Sequence, residues 1–151
     1  MSGAPLPAGG LVVLDTNIVL DLWVFADPLT GPLRRALATG ELQWQATGPM
    51  REELRRVLTY PHLVPRMARQ AQDADAVMEA FDRAARQVPP APKAAWTCKD
   101  PDDQKFIDLA VHLQATLLSK DLAVLSMARR LARSGVEVAR VWTPAPAPGG
   151  A

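Results

Sequence analysis

The feature that most constrains this chain is an apolar run that stops abruptly on a carboxylate, Leu11-Val12-Val13-Leu14-Asp15. A run of about four to eight apolar residues bounded by polar ones fits a strand buried on both faces, the environment of a parallel sheet. A second run, Ala115-Thr116-Leu117-Leu118-Ser119, is followed two residues later by Asp121. Each run leads into a helical pattern. Strands alternating with helices build βαβ units, and right-handed crossovers place helices on both faces of the sheet. The expected class is therefore α/β with a central parallel sheet. In such sheets ligands bind outside the carboxyl ends of the strands, where Asp15 and Asp121 fall.

The remaining elements follow in order. Residues 1–10, rich in Ala, Gly and Pro, form a loose lead-in with neither a basic nor an apolar signal region, so no secretory signal is expected. A helix is expected over Asn17–Phe25, ended by Asp27-Pro28 and Gly31-Pro32, and a shorter one over Leu33–Ala38, capped by Gly40. Leu42–Thr47 reads as a strand. Pro49 then opens a helix whose Met50, Leu54, Val57 and Leu58 share one face. Leu63–Arg86 reads as one long helix with Met67, Ala71, Ala74, Met78 and Phe81 inward, and Val88–Cys98 as an extended loop. A helix runs from Lys99 through Leu113, a strand over Ala115–Ser119, and a helix over Leu122–Arg133 stopped by Gly135. Val136–Trp142 makes a last strand before a Pro/Ala/Gly tail, 143–151, expected to be disordered. One domain over 11–142 is expected from a chain of 151 residues.

Composition excludes more than it assigns. No apolar stretch approaches the roughly 20 residues of a membrane span. The single cysteine, Cys98, rules out an internal disulfide and fits a reducing cytoplasm. A net charge of +1 gives no global signature of nucleic-acid binding. Its distribution is more informative: arginines gather at Arg51, Arg55, Arg56 and at Arg129, Arg130, Arg133, and acids at Asp100, Asp102, Asp103. A positive rim around an acidic pocket would hold phosphates, although solvated helix faces account for each cluster taken alone.

The acids divide by position. Asp15 and Asp121 each end a strand and start a helix, where an N-cap is the competing explanation. On the helix after the second strand, successive residues turn by about 100°, which puts Glu52 roughly 160–180° from the apolar face and Glu53 some 80–100° from it. Glu53 can reach the top of the sheet and Glu52 cannot easily do so. In Asp100-Pro101-Asp102-Asp103, Asp100 suits an N-cap, Pro101 the first turn and Asp103 the reciprocal cap. Helical angles do not separate Asp102 from Asp103, while Asp108 falls near the solvent side. Clustered carboxylates repel one another, and a divalent cation resolves that repulsion. Magnesium takes such oxygen ligands, and a bound ion lowers the pKa of a water and neutralises charge on a phosphoryl group.

Val13-Leu14-Asp15-Thr16-Asn17, Arg51-Glu52-Glu53-Leu54 with Val57-Leu58, Asp100-Pro101-Asp102-Asp103-Gln104-Lys105-Phe106 and Leu118-Ser119-Lys120-Asp121 resemble the PIN-domain family. The closest resemblance is to the toxin components of bacterial toxin–antitoxin systems, over Leu11 to about Trp142. It implies a three-layer α/β/α sandwich around a central parallel β-sheet and a metal-dependent ribonuclease site. The implied metal-binding and catalytic acids are Asp15, Glu53, Asp103 and Asp121, with Asp102 or Asp100 assisting through water. Thr16, Asn17 and Ser119 match small polar positions that order the carboxylates. The resemblance further implies Mg2+ or Mn2+, hydrolysis of RNA without a covalent intermediate, a homodimer, and a small antitoxin protein covering the site. Arg51, Arg55 and Lys120 are the candidates for the RNA backbone; Trp23, Phe25 and the helix at 63–86 are those for an interface.

Three other readings compete. A haloacid-dehalogenase-like phosphatase also starts from an Asp after the first strand, but needs a second Asp two positions on, where this chain has Asn17. A PIN-like fold kept as a catalytically silent binding module would leave the acids structural. A signal-receiver domain is weaker still, because it needs paired acids directly after the first strand.

Overall fold

A computed structural model describes residues 10–144. The expected lead-in and tail therefore lie outside the described residues, apart from Gly10, Thr143 and Pro144. Five parallel strands form one sheet: β1 (Leu11–Leu14), β2 (Gln43–Ala46), β3 (Ala85–Gln87), β4 (Thr116–Leu118) and β5 (Val138–Ala139), in the order β3-β2-β1-β4-β5. Eight α-helices among the described residues flank it: α1 (Thr16–Trp23), α2 (Gly31–Thr39), α3 (Gly48–Val57), α4 (Val64–Arg69), α5 (Ala74–Ala84), α6 (Gln104–Leu113), α7 (Leu122–Leu125) and α8 (Ala128–Arg133).

The first apolar run explains the layering. Val12 and Val13 point to opposite faces of β1, and both are fully buried. A strand buried on both sides needs helices above and below it, so the architecture is an α/β/α sandwich. Trp44 on β2 fills the core beside the sheet, with its ring edge-on to Phe81 of α5 at 5.0 Å and tilted against Trp23 of α1 at 5.6 Å. Cys98 is buried, and burial pushes its thiol up, away from the reactive thiolate.

The strand order places the functional edge. From β1 the chain builds outward through β2 and β3, then returns to the other side of β1 to lay down β4 and β5. The direction of winding therefore reverses between β1 and β4. Loops leaving the two strands diverge there and open a crevice at their carboxyl ends. Val12, Val13 and Leu14 pair with Thr116, Leu117 and Leu118, and the Asp15 N–H donates to Leu118 O at 3.1 Å. The residues just past both strands are thus held side by side.

Several elements differ from expectation. The helix expected over 63–86 is two helices, because Ala71 adopts φ 53° and the Asp73 carboxylate accepts from Ala76 N–H to start α5 afresh. Its last residues are the edge strand β3, whose Ala85-Arg86-Gln87 carries no apolar alternation to signal it. The helix expected from Lys99 begins as a 3-10 turn over Pro101–Asp103, and the one over 122–133 breaks at Ser126 and Met127. Gly40 caps α2 at φ 81°. Among the described residues, no helix is long and apolar enough to cross a membrane.

Candidate active site and metal centre

Asp15 leaves β1 with extended backbone and caps α1: its Oδ1 accepts from Ile18 N–H at 3.1 Å. Its Oδ2 accepts from the hydroxyl of Ser119, the residue that follows β4. Ser119 is wholly buried, and its Oγ in turn accepts from Asp121 N–H at 3.0 Å. One hydroxyl therefore ties the two strand-end acids together. Asp121 caps α7 by accepting from Ala123 N–H at 2.8 Å. The N-cap explanation holds for both acids, and it is compatible with a site because each cap occupies only part of a carboxylate's capacity.

Asp103 comes to the same place from the third segment. Asp100 caps the 3-10 turn through Asp102 N–H at 3.0 Å, and Asp103 ends that turn, buried, whereas Asp102 is exposed. One carboxylate oxygen from each of Asp100, Asp103 and Asp121 lies within 4.8 Å of the others. The Oδ2 of Asp103 is buried with no hydrogen-bond partner among the described residues. Burial, then the facing carboxyl of Asp121, pushes the Asp103 carboxyl up to about 8, with Asp100 and Asp15 adding to the rise. Burial also raises Asp15, opposed by the bond from Ser119 and the amides of Ile18 and Asn17. Such a cluster asks for positive charge: either a proton held between Asp103 and Asp121, or a cation.

Glu53 arrives from α3 on a different set of bonds. Its Oε2 accepts from the Thr16 hydroxyl and its Oε1 from Lys105 Nζ at 2.6 Å. Glu52 on the same helix is exposed, beside Arg55 at 3.9 Å. The structure thus brings Asp15, Asp103 and Asp121 together, seats Glu53 beside them through Thr16, and adds Asp100 to the carboxylate group in place of Asp102.

Other expected residues lie elsewhere. Asn17 is exposed with no side-chain hydrogen bond among the described residues; it sits at the second helical position of α1 and contributes its backbone amide instead. Arg51 is bound through two nitrogens to Asp82 of α5, each at 2.8 Å, and Lys120 pairs with buried Asp21 at 2.7 Å, so both charges are already matched. Arg55 stays exposed. Asp108 is not turned to solvent: its Oδ1 accepts from Ala94 N–H at 2.9 Å and from Gln104 at 2.8 Å, pinning the loop before α6. Two polar residues of this region had no clear sequence signal. Asp21 sits between Leu20 and Leu22 in an apolar helix, and Lys105 stands between Gln104 and Phe106 with no role that its neighbours announce.

The PIN domain family model matches residues 11–123. The chain is a PIN-domain protein. The match takes in β1 through β4 and every acid described above, ending just past Asp121. No curated protein matches the chain. PIN domains are generally nucleases and use divalent metals. The acids of this PIN domain suit that use on their own chemistry: hard oxygen donors, convergent from three segments, with a buried carboxylate oxygen left unpaired.

Proposed function

We propose that this PIN-domain protein is a metal-dependent endoribonuclease. The observation that carries the reading is the unpaired, buried Asp103 Oδ2 within the group formed with Asp100 and Asp121. Asp103, Asp121 and Asp100 would hold a Mg2+ or Mn2+ ion, and Asp15, tied to Asp121 through Ser119, would complete the acidic group. When bound, the ion supplies an ionisable water and neutralises charge on the phosphoryl group. The protein's own part is to fix the acceptors. Ser119 and the Ile18 amide hold the Asp15 carboxylate in one orientation, and the cap to Ala123 does the same for Asp121. Positions fixed in advance need no rearrangement when the substrate binds.

RNA would lie along the carboxyl edge of the sheet. The resemblance further supports a toxin of a toxin–antitoxin pair, acting as a homodimer in the cytoplasm and silenced by a small antitoxin protein. Incubation of single-stranded RNA with the purified protein and Mg2+ or Mn2+ tests the activity. Cleavage is expected, abolished by EDTA and reduced by about 100-fold or more in Asp15→Asn and Asp121→Asn proteins that remain folded. Measured Mn2+ binding with no cleavage of any RNA would instead favour the silent binding module.

A further inference from the structure

We propose that Lys105 is a resident cation that neutralises Glu53, so that the site holds one divalent ion and Glu53 is not among its ligands. The inference rests on the metal site proposed above. Asp100, Asp103 and Asp121 form one pole, where an oxygen is left without a donor. Glu53 forms the other, and there an ammonium already matches the charge: Oε1 accepts from Lys105 Nζ at 2.6 Å, and Oε2 from the Thr16 hydroxyl.

The Glu53–Lys105 pair is shielded, its two side chains only 16% and 25% exposed, so its attraction is less screened than that of a surface pair. A dication brought against Glu53 would have to displace that ammonium or accept its repulsion. Lys105 is also anchored from a second direction, donating to Asp102 O, with Phe106 packed 4.9 Å from its nitrogen. An ammonium has three N–H donors. Two are used among the described residues, by Glu53 Oε1 and Asp102 O. Asp103 and Lys105 stand two residues apart at the start of α6, so one short segment presents the unpaired anion to the metal and the cation to Glu53.

Mn2+ titration of the purified full chain, following free ion by electron paramagnetic resonance, tests this. One ion per chain is expected. Glu53→Gln should keep that stoichiometry with affinity changed by less than about threefold, whereas Asp103→Asn should weaken binding by about tenfold or more. Lys105→Met should gain a second, weaker ion at the exposed Glu53 charge, and the Glu53→Gln/Lys105→Met double variant should return to one. Circular dichroism checks that each variant is folded. Two ions on the unmodified protein, one of them lost in Glu53→Gln, would overturn the inference and leave the metal site standing. A folded Lys105→Met protein that still binds one ion would also overturn it. No ion bound by the unmodified protein would remove the metal site and the inference with it.

Discussion

Asp103 is the residue on which charge and burial conflict most. Its ordinary value is 3.8, and the fold pushes it to about 8. Replacing it with Asn removes the penalised charge, and the amide can donate to Asp121. In EDTA at pH 8, Asp103→Asn is therefore expected to raise Tm by about 3–8 °C, although the same change should abolish Mn2+-dependent cleavage. At about pH 3, below the unfolded value of 3.8, the two proteins should melt close together, since the carboxyl is then mostly protonated in both folded and unfolded chains. Scanning calorimetry at the two pH values checks it, and destabilisation at both would show that Asp103 is a structural acid. The sequence could not choose Asp103 over Asp102 by angle. The segment is a 3-10 turn, whose residues advance by about 120° rather than 100°. Glu53 lies on a regular α-helix, where the 100° step applies, and it is half-buried while Glu52 is exposed.

At the scale of elements, the ends of helices carry specific constraints. Gly40 and Gly135 both have positive φ, 81° and 79°, but their surroundings differ. A Cβ at Gly40 meets nothing within 4 Å among the described residues, so Gly40→Ala should lose only the backbone preference, about 1–2 kcal/mol. At Gly135 a Cβ would sit 2.4 Å from Gln114 Oε1. That glutamine donates to both Val111 O and Ser134 O, joining the end of α6 to the end of α8. Gly135→Ala should therefore cost more than Gly40→Ala, by about 1 kcal/mol for a lost hydrogen bond. Urea denaturation of the two variants measures the difference; equal losses would mean that Gln114 can move aside freely. The elements that sequence missed share a physical cause. Edge strand β3 is held by backbone pairing of Trp44 with Ala85 through Ala46 with Gln87, which side-chain periodicity does not encode. The break at Ala71 costs backbone energy that tertiary packing of α4 and α5 must offset, so local propensity does not announce it.

For the whole molecule, stability should depend on pH in a direction set by these buried acids. Unfolded, Asp15 and Asp103 ionise near 3.8; folded, both are raised, Asp103 to about 8. Over that interval the unfolded chain holds fewer protons than the folded one, so stability falls as pH rises from about 4 to about 8. Melting in EDTA across this range should show Tm declining, and Mn2+ should restore most of the loss at pH 8 because it binds the folded chain alone. A Tm that rises with pH in EDTA would contradict the burial of these charges.

The parallel α/β sheet, its buried first strand and the strand-end positions of Asp15 and Asp121 were set by local sequence, because apolar runs and caps act over a few neighbouring residues. The partners of those acids were decided by the tertiary structure alone. Ser119 reaches Asp15 across 104 positions, and Lys105 reaches Glu53 across 52. Electrostatic partnership depends on distance in space and on exclusion of water, and neither exists until the reversal of winding between β1 and β4 has brought the segments together.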